Sequence, residues 1–222
     1  MDSVVFLNDV AKSYPPNRRA LTHVQLSVQE GAFMAVLGGP GSGKTTLMRL
    51  VCGLTPPSGG SVTVLGRDLA LMGEKQRADF RNAHMGIVLR EPVFLEGLTV
   101  AENAALSLIA GGADIRSAVL KAKGLLKSFG LEKRAESPVG ALSPLDRHMV
   151  QLARAAVCGP EVLLLDEPGA SLDGREKDRL MENLRVLSCS GRCTVLCFTA
   201  DRRLAERFRQ TVLLQDGEIV KE

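Results

Sequence analysis

The sequence predicts an α/β fold with a helical segment set into it, and three observations carry that prediction. Two continuous apolar runs, "FMAVLG" at 33–38 and "VLLLD" at 162–166, end in Gly or Asp, as strands buried on both faces do. Between about Thr99 and Cys158 the apolar residues recur at helical spacing instead. Lastly, "GGPGSGKTT" at 38–46 places a glycine-rich loop between the first of those strands and a helical run, "KTTLMRLVCG".

Taken in order, "SVVFLNDV" and "HVQLSVQ" alternate apolar and polar residues, the pattern of strands with one buried face. "GSVTVLG" and "MGIVL" are further strands, which makes the N-terminal part an antiparallel, β-rich subdomain. The middle reads as three helices, "TVAENAALSLIAGG", "DIRSAVLKAKGLLKSFG" and "SPLDRHMVQLARAAVCG". In the second, Ile115, Val119, Ala122 and Leu126 form the expected buried face. The third begins with Ser143 as N-cap, Pro144 at N1 and Asp146 at N3, a sound helix start. After "VLLLD" come a buried strand, "TVLCFT", and a hairpin, "TVLLQDGEIV", turning at Asp216-Gly217. One domain over 1–222 is expected, with a core of 1–89 and 160–222 and a helical subdomain at about 90–159.

The composition narrows the function. The 28 basic and 25 acidic residues are spread along the chain, so no charged block calls for a nucleic acid as partner. One Tyr, no Trp and seven Phe leave few platforms for stacking bases. The start, "MDSVVFLNDVAKSY", lacks the pattern of a secretory signal, and no apolar run approaches the roughly 18–20 residues that span a bilayer. A soluble chain that docks on a membrane protein fits this. Cys189, Cys193 and Cys197 recur every four residues, but Gly191 interrupts the run and no His or Cys-x-x-Cys supports ligation. Free thiols in a reducing compartment are the expectation.

The loop and the second strand carry the chemistry. Gly38-x-x-x-x-Gly43-Lys44-Thr45 matches the P-loop pattern in its proper setting, strand before and helix after. Gly39, Gly41 and Gly43, with Pro40 and Ser42 between them, let the backbone wrap closely and aim N–H groups at phosphate oxygens. Lys44 suits the β and γ phosphates of ATP, and the Thr45 hydroxyl, followed by Thr46, suits Mg²⁺. Asp166 at the end of "VLLLD" is the second metal-ligand candidate, and Glu167 is the candidate general base for an attacking water.

With these motifs go "CGLTPPSGGSVTVLG", "LTVAEN", "SLDG" and "LLQDGEIV", and together they resemble the nucleotide-binding subunits of ABC transporters. The helical segment is most similar to the FtsE/LolD/MacB-like group. The resemblance covers nearly the whole chain. It implies a P-loop NTPase core of ABC type, and an ATP sandwich dimer formed with a second ATP-binding subunit, either a copy of this chain or a different one. It also implies an integral membrane permease as partner and a peripheral place on the cytoplasmic face of the inner membrane. On the same ground Tyr14 falls where an aromatic stacks on adenine, Ser143 where the signature loop meets the opposing nucleotide, and Asp173 where the D-loop crosses the interface.

Three positions depart from the family pattern. Arg90 stands for the Q-loop glutamine; it offers five donors and no acceptor, so it cannot ligate a cation, although it can bind phosphate or a carboxylate such as Glu91 or Glu96. Leu142-Ser143-Pro144-Leu145-Asp146 replaces Leu-Ser-Gly-Gly-Gln, with Pro144 lacking an N–H, Leu145 adding bulk and Asp146 adding negative charge, unless Arg147 swings in to offset it. Ala200 replaces a histidine near the γ-phosphate, and losing one such donor typically costs ~10²–10³ in rate. The expectation is intact ATP binding with weak or partner-dependent hydrolysis. Its rival is a regulatory subunit that binds ATP without cleaving it. His23, His84 and His148 read as surface or structural residues.

Overall fold

The computed structural model describes residues 3–16, 18–189 and 193–220, so Gly191 lies outside the described residues. Among the described residues there are two sheets and seven α-helices. The first sheet contains β1 (Ser3–Tyr14), β2 (Arg18–Gln29), β4 (Gly59–Val64) and β5 (Arg67–Asp68), all antiparallel, in the order β2-β1-β4-β5. The second has the order β10-β9-β3-β8-β7-β6. In it β3 (Phe33–Leu37), β6 (Met85–Val88), β7 (Val162–Asp166), β8 (Thr194–Thr199) and β9 (Gln210–Gln215) run parallel, and β10 (Glu218–Val220) returns antiparallel. The expected hairpin turns at Asp216 and Gly217, with φ of 49° and 84°, the left-handed pair such tight turns require.

The unbroken apolar runs have the physical cause expected of them. In β3, Met34 and Val36 face one core with the antiparallel sheet and α1 (Lys44–Val51), whereas Phe33 and Ala35 face a second. Alternate residues of β7 and β8 divide in the same way, Leu164 and Leu196 to one side, Leu163 and Cys197 to the other. A sheet covered on both faces needs apolar side chains at every position.

Between β6 and β7 lie α3 (Val100–Ala110), α4 (Ile115–Ser128) and α5 (Pro144–Ala156), whose buried residues join the second core rather than forming one of their own. One expectation needs correcting here. Ile115 is 60 % exposed, and the inward stripe of α4 is Ala118, Ala122 and Leu126, with Val119 and Leu125 at its margin. Asp114 caps this helix by accepting from the Ser117 N–H at 3.0 Å, so its first residue sits beyond the packed face. The helix α2 (Glu74–His84) was not anticipated; only Phe80 of its residues is buried. The fold is completed by α6 (Gly174–Cys189) and α7 (Arg202–Ala205). Cys193 and Cys197 are buried in the second core, and Cys189 is exposed at the end of α6. No helix among the described residues is long and apolar enough to cross a membrane.

Candidate functional site

The carboxyl ends of four parallel strands meet at one place. The register pairs Leu37 with Thr199 across β3 and β8, Asp166 with Phe198 across β7 and β8, and Val88 with Leu165 across β6 and β7. The glycine-rich loop, Glu167, Ala200 and Arg90 therefore leave the sheet nearly level with one another. Together they line a cleft of about 410 Å³, the usual position for a ligand in an open α/β sheet.

Pro40, Gly41, Ser42, Gly43, Lys44, Thr45 and Thr46 form one wall of the cleft. Gly43, with φ at 105°, is a left-handed N-cap of α1, and a Cβ there would come within 2.6 Å of the Ala20 carbonyl oxygen. Only glycine permits that approach. The loop and the amino end of α1 line the cleft, a setting that suits an anion. Gly38 and Gly39 sit behind the wall, and their carbonyls accept from Lys44 Nζ at 2.7 and 2.9 Å. Ser42 Oγ is buried and has no partner, so a phosphate oxygen would complete its hydrogen bonding.

The two metal-ligand candidates lie side by side. Thr45 Oγ1 lies 3.5 and 3.4 Å from the two Asp166 carboxylate oxygens. Burial raises the Asp166 pKa above the ordinary carboxylate value, and the neighbouring Glu167 adds to the shift, opposed by the Thr45 hydroxyl and Lys44. A hydroxyl and a carboxylate in a desolvated pocket form an oxygen donor set suited to Mg²⁺.

Glu167 is held from several sides. Its Oε1 lies 3.3 Å from Lys44 Nζ, while Oε2 accepts from the Ala200 N–H at 2.9 Å and the Thr199 hydroxyl at 3.2 Å. Its backbone has φ of 46°, and its N–H donates to the Phe198 carbonyl at 2.8 Å. Such strain costs of order 1–3 kcal/mol and persists where the surroundings enforce it. Ala200 thus contributes through its backbone although its side chain offers nothing. Asp201 next to it accepts from Lys177 Nζ at 2.7 Å and caps α7.

The remaining sequence candidates sit elsewhere. Tyr14 ends β1 opposite Arg18, half-buried, with Lys12 Nζ 5.2 Å from its ring centre; it is not part of the cleft wall. Ser143 Oγ accepts from the Asp146 N–H at 3.2 Å as the cap of α5. Asp173 Oδ1 accepts from the Glu176 N–H at 2.8 Å, and Glu176 answers by accepting from the Asp173 N–H at 3.0 Å. The expectation that Leu145 adds bulk to a phosphate-facing surface is corrected, because its side chain is buried in the second core. Arg147 is also committed, donating to the Val139 carbonyl at 3.3 Å with its guanidinium over the Phe94 ring. Among the described residues Arg90 pairs with neither Glu91 nor Glu96. His148 is buried on α5, and His23 and His84 bond to Asp9 and Glu161.

Three cleft residues were not among the sequence candidates, Arg18, Arg19 and Ala20 at the start of β2. The only signal was a basic pair between two alternating strands.

A parallel-sheet cleft built from a P-loop, a strand-end Asp-Glu pair and a threonine at the helix start defines a P-loop nucleotide-binding protein. Residues 21–170 match the family described as ABC transporter. The chain belongs to that family, and by class it is a P-loop ATPase. It is 35 % identical over 221 residues to the lipoprotein-releasing system ATP-binding protein LolD of Pseudomonas fluorescens, covering 98 % of this chain and 97 % of that one. It is 32 % identical over 224 residues to the macrolide export ATP-binding/permease protein MacB of Shigella flexneri, of which it spans 34 %. The dimeric MJ0796 ABC transporter cassette superposes with a TM-score of 0.89 at 28 % identity, over 98 % of this chain and 97 % of that one. A post-hydrolysis dimer of the same cassette, bound to ADP and Pi, superposes with a TM-score of 0.88 over the same shares.

Proposed function

We propose that this chain is the ATP-binding subunit of an ABC transport or membrane-remodelling complex, with ATP hydrolysis that is weak or depends on a partner. One observation carries the reading. Lys44, Thr45 and Glu167 line a single cleft with Asp166 beside Thr45, while the neighbouring Ala200 offers no side-chain donor and Arg90 no acceptor for ordering water. In this reading the loop amides, Ser42 and Lys44 grip the triphosphate. Thr45 and Asp166 would hold Mg²⁺, which when bound neutralises charge on the phosphates. Glu167, fixed by the Ala200 N–H and the Thr199 hydroxyl, accepts the proton of the attacking water once Lys44 has turned to the phosphate.

The chain acts as one domain, 1–222, whose segment at about 90–159 moves as a helical lobe. It sits on the cytoplasmic face of the inner membrane against an integral membrane permease, and pairs with a second ATP-binding subunit. Its likeness to LolD and MacB over nearly the whole chain, and to a dimeric cassette, supports this. In that dimer Tyr14 stacks on adenine, and Ser143 and Asp173 face the partner.

The test is steady-state phosphate release by the pure chain and by the chain with its permease, each compared with Glu167→Gln. A slow, Glu167-dependent rate is expected, reduced by about 10² or more in the variant. Fast turnover by the pure chain would refute the impairment. The second reading, a nucleotide-gated subunit without hydrolysis, is favoured by Arg90 and Ala200 at the cleft and predicts no Glu167-dependent release under either condition.

A further inference from the structure

The cleft carries more positive charge than its phosphate loop supplies. Arg18, Arg19, Lys44 and Arg90 line it against a single carboxylate, Glu167. Lys44 is engaged by two loop carbonyls and by Glu167. Both oxygens of Glu167 are in turn taken, by Lys44 on one side and by the Ala200 N–H and Thr199 hydroxyl on the other. Arg90 therefore lines the cleft with an acid that already accepts from three other donors. Among the described residues none of the three guanidinium groups forms a hydrogen bond or ion pair. Ser42 Oγ, buried in the same wall, is unpartnered too.

The sheet register decides which of the three arginines meets the end of a bound polyphosphate. Arg90 lies two residues beyond Val88 and Glu167 two beyond Leu165, and those residues pair across β6 and β7. Arg90 thus flanks the general-base candidate, whereas Arg18 and Arg19 enter from β2 on the other sheet. A guanidinium donates through five N–H groups and accepts nothing, so it neutralises phosphate oxygens without helping to ligate a cation.

We propose that Arg90 binds the terminal phosphate of a nucleoside triphosphate directly and takes over charge neutralisation that a divalent cation otherwise provides, so that the chain holds ATP without that cation. The inference rests on the nucleotide-binding reading above and deepens it. Arg90 is exposed on a loop, so its substitution leaves both cores untouched.

The experiment is a titration of the full-length chain with ATP, followed by calorimetry, in excess Mg²⁺ and in EDTA, for wild type, Arg90→Gln and Arg90→Lys. Wild type is expected to weaken by less than about tenfold in EDTA. Arg90→Gln is expected to weaken at least about tenfold more than wild type on moving from Mg²⁺ to EDTA, with partial rescue in Arg90→Lys. Equal weakening of wild type and Arg90→Gln on removing the cation overturns the proposal while leaving the nucleotide site standing. Failure of the wild-type chain to bind ATP even with Mg²⁺ overturns both. Thermal unfolding of the variants confirms that they remain folded.

Discussion

Ala200 illustrates how a residue loses one role and keeps another. Its side chain offers no donor to the cleft, yet its N–H holds Glu167 at 2.9 Å. That bond belongs to the backbone, so it is indifferent to the side chain. Ala200→His should therefore restore a donor without disturbing Glu167, and the exposed position leaves room for the ring. Phosphate release is expected to rise by about tenfold or more, with ATP affinity changed only a few-fold. An unchanged rate would place the limitation elsewhere, in Arg90 or the partner. At this scale the sequence was informative about residue types, and the structure brings Lys44, Thr45, Asp166 and Glu167 close to one another. It was silent about Arg18 and Arg19, because nothing local to "NRRA" indicates that β2 passes beside the phosphate loop.

Among the elements, caps and strand ends govern where the site's neighbours sit. Asn103 of α3 is fully buried and clamps the preceding loop, accepting from the Leu95 N–H at 2.9 Å and donating to the Leu95, Leu98 and Thr99 carbonyls. The chain that follows Arg90 is thereby tied to the helical segment. On the other side of the cleft, Asp201 caps α7 and pairs with Lys177, and that hydrogen bond, more than any other contact, holds its carboxyl below the usual range. The folded pKa lies under the unfolded one, so this contribution is complete above about pH 4 and is lost as the pH falls through the folded value. Asp201→Asn keeps a capping oxygen and loses the ion pair. It should cost less than about 1 kcal/mol at pH 7 and lose less stability than wild type between roughly pH 5 and pH 3. Parallel acid-unfolding curves for the two proteins would contradict this. Element existence was legible wherever apolar residues set a period. α2 was missed because Phe80 alone of its residues is buried, and the α4 stripe was right at Ala122 and Leu126 but began one turn too early, because Ile115 keeps the helical period just beyond the packed turns.

For the whole molecule, the two cores share one sheet, and the cleft opens where that sheet's strands end. The cleft is lined by residues that follow β3, β6, β7 and β8, so the binding energy of a ligand held there would add to the stability of both cores. ATP with Mg²⁺ at a hundredfold excess over its dissociation constant should stabilise the chain by about 2.7 kcal/mol and raise its unfolding midpoint by roughly 5–10 °C. Differential scanning calorimetry measures this directly. In Lys44→Ala the shift should shrink to near zero, since that ammonium is the buried cation of the loop. A shift retained in the variant would show that the nucleotide is held elsewhere.

The motifs declared a triphosphate site because glycine freedom, a buried lysine and strand-end acids are properties of short stretches of chain. Which of those stretches meet is not. Thr45 and Asp166, 121 positions apart, face each other across 3.4 Å, and Glu167 is gripped by residues 32 and 33 positions further on. Arg90 joins them only because β6 and β7 pair in one register, and Leu145 leaves the surface only because α5 turns it into the core. Strand order and register are set by burying every face of the sheet at once, a condition no single segment of the sequence can satisfy or reveal.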